Sequence, residues 1–119
     1  MEEKFIDDWA RLSRVELDRL FRSYRRVVSA YSSARRDVMS GFKPFGDGII
    51  CSEMFKMREL ILMLEDPSER ALLYYFYIDG YTLERCAEKL FISLRSATRI
   101  KRRGIESIMY KIKTEVQDN

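Results

Sequence analysis

The chain has 119 residues, of which 46% are hydrophobic and 34% are charged, and its 22 basic and 19 acidic residues give a net charge of +3. This length supports one compact domain, or a small domain with a helical arm. No apolar run approaches the roughly 20 residues of a membrane-spanning helix, and the acidic first residues lack a signal-peptide pattern. We therefore expect a cytoplasmic protein that does not enter a membrane.

The sequence offers little material for catalysis or metal binding. It contains no histidine and only two cysteines, which lie far apart at Cys51 and Cys86. Tetrahedral zinc sites need clustered Cys and His ligands, and the usual general base and the His-containing triads need a histidine. The sequence also lacks a paired acidic cluster and a Gly-rich phosphate loop. We expect a protein that is not an enzyme, with no catalytic residues, no metal, no cofactor and no small-molecule substrate.

Residues 3–39 have the pattern of one long helix. Leu17, Phe21 and Tyr24 follow one another at spacings of four and three, which is typical of a heptad-like apolar seam. A helix this long in a short chain is expected to pack on a second helix or on a symmetry mate. We predict that residues 1–65 form a helical arm or hairpin, and that the protein is a homodimer through its N-terminal helices.

A linker and a second helix follow the long helical pattern. Residues 40–48 combine three glycines with a proline and are predicted to form the linker. Residues 50–64 are predicted to be helical, with Met57, Ile61 and Leu64 on one apolar stripe. Together with the scarcity of glycine and proline elsewhere, this pattern predicts an all-α fold.

The third helix has clear start and stop signals. Asp66 is predicted to be its N-cap, with Pro67 at the first helical position and Glu69 at the third. The pair Asp79-Gly80 is predicted to end it, because glycine tolerates the left-handed backbone conformation that terminates helices. We expect a buried supporting helix at the start of a C-terminal domain covering residues 66–119.

A helix-turn-helix is predicted to complete this domain. Thr82 caps a short helix over residues 83–90, and a turn of Phe91, Ile92 and Ser93 leads into the last helix. Many such turns place glycine at the position of Phe91, because the backbone there has a positive φ. The turn is therefore either built differently or strained, and the ring of Phe91 is expected to buttress the N-terminal helices.

The last helix, over residues 94–113, carries the strongest positive charge of the chain. It holds seven basic residues and one acid, a local charge of +6 in a chain whose total is +3. The apolar stripe of this helix consists of Ala97, Ile100, Gly104 and Ile108. At 100° per residue the opposite face consists of Arg95, Arg99, Arg102 and Glu106. A helix with this sorting of charge is typical of a surface presented to a polyanion.

The amino end of such a helix enters the major groove of DNA, where arginine pairs with guanine and short hydroxyls reach bases or phosphates. The residues predicted to read base edges are Arg95, Ser96 and Arg99. The residues predicted to contact the DNA backbone are Thr82, Ser93, Thr98, Lys101, Arg102 and Arg103. Glu106 is expected to pair with Arg102 one turn earlier.

From about Glu69 to Ile108 the sequence resembles the helix-turn-helix of sigma-70 region 4. The resemblance rests on the segment YIDG at residues 77–80 and on the run ISLRSATRIKRRGIESI at residues 92–108. The whole arrangement resembles small phage-encoded transcription regulators of the ArpU and RinA type, which implies a role in late-gene expression or a similar switch. Two positions depart from the region 4 pattern: Phe91 stands where a turn glycine is usual, and Gly104 where alanine is.

These observations predict a sequence-specific DNA-binding transcription regulator, encoded by a phage or prophage, whose partner is double-stranded DNA. RNA polymerase is a further candidate partner. One alternative is a small terminase-like DNA-packaging subunit, which would also join a helix-turn-helix to a helical oligomerisation arm. The other is a module that binds RNA polymerase without reading DNA directly.

Overall fold

The computed structural model of the protein describes residues 4–25 and 48–117, and it gives the side chains of residues 5–25 and 52–117. Most of these residues are helical, with no strand among them, which confirms the all-α prediction. The helices are α1 (Lys4–Ala10), α2 (residues 14–25), α3 (Gly48–Leu62), α4 (Pro67–Leu73), α5 (Leu83–Leu90) and α6 (Leu94–Gln117).

The prediction of one uninterrupted helix over residues 3–39 is wrong between α1 and α2. The chain leaves the helical conformation over residues 11–13. Ser13 and Glu16 form a capping box there: the Glu16 amide donates to Ser13 Oγ at 3.2 Å, and the Ser13 amide donates to Glu16 Oε1 at 3.1 Å. The hydrogen bond from the Ser13 amide also holds the pKa of the Glu16 carboxyl below its usual value. The rest of the predicted helix, residues 26–39, lies outside the described residues.

Because of this break, α1 folds back and packs its aromatic side chains on α2 and the C-terminal half of the chain. The ring of Trp9 lies 5.2 Å from that of Phe21, and Phe21 lies 5.7 Å from Tyr77 in an edge-to-face arrangement. Trp9, Phe21 and Tyr77 are buried and belong to one hydrophobic cluster. The described N-terminal helices therefore contact residues on both sides of the predicted boundary at residue 65.

α3 joins the same cluster through the predicted stripe. Met57 and Ile61 of α3 are buried, and so is Leu64, which was predicted to belong to this helix but follows its end at Leu62. The helix begins at Gly48, the last residue of the predicted linker, and residues 40–47 lie outside the described part. Glu53 accepts a hydrogen bond from the hydroxyl of Tyr24, which ties α3 to α2.

The start and stop signals of the third helix are confirmed, but its last turn is wider than predicted. Oδ1 of Asp66 accepts hydrogen bonds from the amides of Ser68 and Glu69 at 2.8 and 3.2 Å, and Gly80 has a left-handed φ of 78°. After Leu73 the backbone continues as a π-helix over Tyr74–Ile78. This segment carries two consecutive buried rings, Phe76 and Tyr77, into the core.

Candidate nucleic-acid interface

Helices α5 and α6 stand where the sequence predicts a helix-turn-helix, and the three residues 91–93 join them. Oγ1 of Thr82 accepts a hydrogen bond from the Arg85 amide at 3.2 Å, and Oγ of Ser93 accepts one from the Ser96 amide at 3.1 Å. Each side chain thus satisfies an amide that the first helical turn leaves without a partner. The bounds of α5 agree with the prediction, whereas α6 extends beyond residue 113 to Gln117.

The turn between these helices contains a residue with left-handed backbone geometry, although the sequence has no glycine there. Phe91 has φ 56° and ψ 43°, and its amide donates to the carbonyl of Glu88 at 3.2 Å. The amide of Ile92 donates to the carbonyl of Ala87 at 3.0 Å, so the turn closes the end of α5. The expectation that the ring of Phe91 buttresses the N-terminal helices is wrong, because the residue is 95% exposed.

The two arginines predicted to read bases lie one helical turn apart at the beginning of α6. Arg95 and Arg99 are exposed, and neither forms an ion pair with another residue of the described chain. The third predicted base contact, Ser96, is half-buried, and its Oγ lies 3.0 Å from Oγ of Ser93. Its hydroxyl is therefore engaged at the helix cap, while the guanidinium groups face solvent.

Most residues predicted to contact the DNA backbone are exposed as well. Thr98 donates its hydroxyl to the carbonyl of Leu94 at 2.9 Å. Arg102 forms the predicted pair with Glu106, with 3.4 Å between Nε and Oε1. Nε of Arg103 lies 3.9 Å from Oε2 of Glu69, on the side of α6 that meets α4. Thr82 and Ser93 are exposed at their caps.

Lys101 differs from the other predicted phosphate contacts. Its side chain is only 20% exposed, and Nζ lies 3.1 Å from Oδ1 of Asp18. Nζ also lies 4.5 Å from the centre of the Phe76 ring, within cation–π range. The ammonium group is thus held between α2 and the π-helix, and we assign Lys101 to the support of α6 rather than to the predicted phosphate contact.

Asp18 is the centre of this support. It accepts a hydrogen bond from the hydroxyl of Tyr77, and its Oδ2 lies 3.0 Å from Nη2 of Arg22. Burial, followed by the hydrogen bond to Asp18, raises the pKa of the Tyr77 hydroxyl, which therefore remains a neutral donor. Through Lys101 the network fixes α6 relative to α2 and the π-helix. Sequence reasoning missed Asp18, because its partners lie far along the chain.

A second support holds the turn that precedes α5. Nη2 of Arg25 donates to the carbonyls of Gly80 and Tyr81 at 2.8 and 2.9 Å. The guanidinium carbon lies 4.5 Å from the centre of the Phe76 ring. These carbonyls stand beyond the end of the π-helix, where the helical backbone no longer supplies donors. Nothing in the local sequence around Arg25 signals this contact.

The buried face of α6 explains one of the two departures from the region 4 pattern. A Cβ added at Gly104 would lie 2.7 Å from Cδ1 of Leu73 and 3.0 Å from its Cγ. Only glycine lets α6 approach α4 this closely. Glycine lowers helix propensity by about 1 kcal/mol relative to alanine. At this position it also allows the close packing of α6 on α4.

The described residues contain no group of three or more acidic or cysteine side chains placed to hold a metal ion. Within residues 4–25 and 48–117 no helix is both long and apolar enough to cross a membrane. Comparison of the chain with protein-family models, with curated proteins and with solved structures gave no match.

Proposed function

We propose that the protein is a sequence-specific DNA-binding transcription regulator that reads the major groove with the first turns of α6. The observation that carries the proposal is the exposure of Arg95 and Arg99 and their lack of an ion pair. Both are exposed and without an ionic partner in the described chain, one turn apart on a capped helix of a helix-turn-helix unit. Arginine is the side chain that most often pairs with guanine edges in the major groove, and the first turns of such a helix are the part that enters the groove.

The charge distribution and the packing support the same proposal. The segment from Leu94 to Lys113 has a charge of +6, and the remainder of the chain sums to −3. The opposite face of α6 is buried against the core through Ala97, Ile105 and Ile108. A helix whose buried face is packed on the core can present its arginines at a defined angle, which lowers the conformational entropy cost of binding.

The resemblance to sigma-70 region 4 and to phage regulators extends the proposal to a phage or prophage switch. A homodimer is part of the proposal, because a single helix-turn-helix makes few base contacts and dimers join two half-sites. The natural target would then be a palindrome with half-sites about one or two helical turns apart.

The test is selection of bound DNA from a random pool, followed by affinity measurements on the selected site and on unrelated DNA. Arg95→Ala and Arg99→Ala are each expected to weaken specific binding roughly 10-fold to 100-fold, the worth of one bidentate contact. Their effect on unrelated DNA should be several-fold smaller.

Lys113→Ala is the matched control. Lys113 is also exposed and basic, and it lies on the same face of α6, five turns or about 27 Å beyond Arg95. Its loss should reduce both affinities slightly and equally, through the salt-dependent component of binding. If Arg95→Ala and Arg99→Ala affect specific binding no more than Lys113→Ala does, α6 does not read the groove. The mass of the protein in solution and the symmetry of the selected site test the dimer separately.

A further inference from the structure

Two residues near α5 have a left-handed backbone, and one is a glycine whereas the other is a phenylalanine. Gly80, before α5, has φ 78° and is a glycine, which adopts this conformation without strain. Phe91, after α5, has φ 56°, and its Cβ makes the same conformation unfavourable. Among the described residues Phe91 is the one non-glycine residue with a positive φ.

The side chain of Phe91 gains nothing inside the protein that would offset this strain. It is 95% exposed, so the ring packs on no part of the described core. Large apolar side chains usually contribute to stability by burial, and this one remains in solvent. A strained backbone and an exposed phenyl ring thus coincide at one residue, and strain of this kind is concentrated at functional sites.

Phe91 lies just before the exposed residues at the start of α6. Phe91 is followed after two residues by Leu94, the first residue of α6, which is itself 45% exposed. Arg95 and Arg99 come next, exposed and unpaired within the described chain. Exposed apolar side chains that lie close in sequence to two exposed positive charges suit a partner that is negatively charged and yet presents small apolar groups. In the major groove of DNA the 5-methyl group of thymine is that group, next to the phosphates and the polar base edges.

We propose that Phe91 and Leu94 contact thymine methyl groups, so that the strained turn determines specificity for thymine beside the arginine-read bases. This inference rests on the proposed function, because it assigns further base contacts to the same helix-turn-helix. It makes Phe91 a residue that lowers the stability of the free protein and raises its selectivity for DNA.

The test combines Phe91→Gly with replacement of thymine by deoxyuridine, which lacks only the methyl group, at each thymine of the selected site. Wild-type protein is expected to lose roughly four-fold in affinity at one or two thymine positions, the worth of one buried methyl group. Phe91→Gly should bind the thymine site more weakly and show no further loss with deoxyuridine at the positions that Phe91 contacts. The same variant should unfold at a higher temperature than the wild type, because glycine relieves the strain.

Two further variants make the result specific. Phe91→Asn also tolerates the left-handed conformation and removes the ring, and it should reproduce the binding defect of Phe91→Gly. Phe55→Ala removes another exposed phenylalanine, 68% exposed on α3, and should leave the ratio of thymine to deoxyuridine affinity unchanged. Leu94→Ala should reduce that ratio at a neighbouring position.

The possible failures are distinguishable. If the wild-type protein selects no DNA sequence, the proposed function and this inference both fall. If it selects a sequence but responds equally to thymine and deoxyuridine, or if Phe91→Gly keeps the wild-type ratio, the inference alone is overturned.

Discussion

The two faces of α6 are made of the same helix and have opposite chemistry. The inner face is apolar and tightly packed, with Ala97, Ile105 and Ile108 buried and Gly104 in contact with Leu73. The outer face presents Arg95, Arg99 and Arg102 to solvent. Stability is therefore concentrated on one side of the helix, and the charge proposed to bind DNA on the other.

This division implies that substitutions on the two faces have separable effects. A change on the inner face alters packing with helices that lie far away in sequence, so it should lower the free energy of unfolding. A change at Arg95 or Arg99 on the outer face removes an exposed charge that forms no ion pair in the described chain, so it should leave stability nearly unchanged. The following substitutions test how far the separation holds.

Gly104→Val is expected to have the largest effect on stability. The added Cβ would stand 2.7 Å from Cδ1 of Leu73, and the two methyl groups of valine would force α6 and α4 apart. Overpacking of this kind costs up to about 3 kcal/mol in free energy of unfolding. Urea denaturation measures the loss. Arg99→Val places the same β-branched side chain on the outer face and should cost no more than about 0.5 kcal/mol. Equal losses for the two variants would contradict the division into faces.

Lys101→Met is expected to have an intermediate effect. It removes the ammonium group that lies 3.1 Å from Asp18 in a largely buried network and keeps the length of the side chain. Asp18 retains Arg22 and the hydroxyl of Tyr77, so we expect a loss of about 1–2 kcal/mol in free energy of unfolding.

DNA binding by Lys101→Met distinguishes support from phosphate contact. A phosphate contact would reduce the slope of log affinity against log salt concentration by about one. We expect the slope to stay at its wild-type value, because the ammonium group is engaged inside the protein. Lys113→Met, at an exposed position, is the control for the loss of one positive charge. A reduced slope in Lys101→Met would mean that Lys101 contacts a phosphate of the DNA.

The parts of the fold that could be predicted are those with a local cause. The caps at Asp66, Thr82 and Ser93 each act within three residues, so their sequence patterns placed the helix starts correctly. The outer face of α6 follows from helical periodicity alone. The break between α1 and α2 is also local. Ser13 and Glu16 have the spacing of a capping box, and the apolar seam that runs past them masked that signal.

The parts that could not be predicted depend on residues distant in sequence. Asp18 meets Tyr77 and Lys101, and Arg25 meets the carbonyl of Gly80, across more than 50 residues. A basic residue such as Lys101 looks the same in the sequence whether it faces DNA or an internal carboxylate. The close approach of two helices decides that residue 104 must be glycine, and helix propensity alone made it look unfavourable.

Ser93 caps the beginning of α6, and its substitutions are expected to affect stability less than Gly104→Val and Lys101→Met do. Ser93→Ala removes the acceptor of the Ser96 amide and should cost about 1 kcal/mol, measured by urea denaturation. Ser93→Asp keeps a good capping acceptor, and its charge is favourable at a helix N-terminus, so stability should stay within about 0.5 kcal/mol of the wild type.

In DNA binding the order of the two Ser93 variants should be reversed: Ser93→Ala is the less stable variant, and it should bind DNA more tightly than Ser93→Asp. The carboxylate of Ser93→Asp would stand at a predicted phosphate contact and repel it, so we expect at least a roughly 10-fold loss of affinity from this variant. Ser93→Ala, without added charge, should lose less. If Ser93→Asp binds DNA as well as the wild type, the start of α6 does not approach the phosphates, and the outer face must meet DNA further along the helix or not at all.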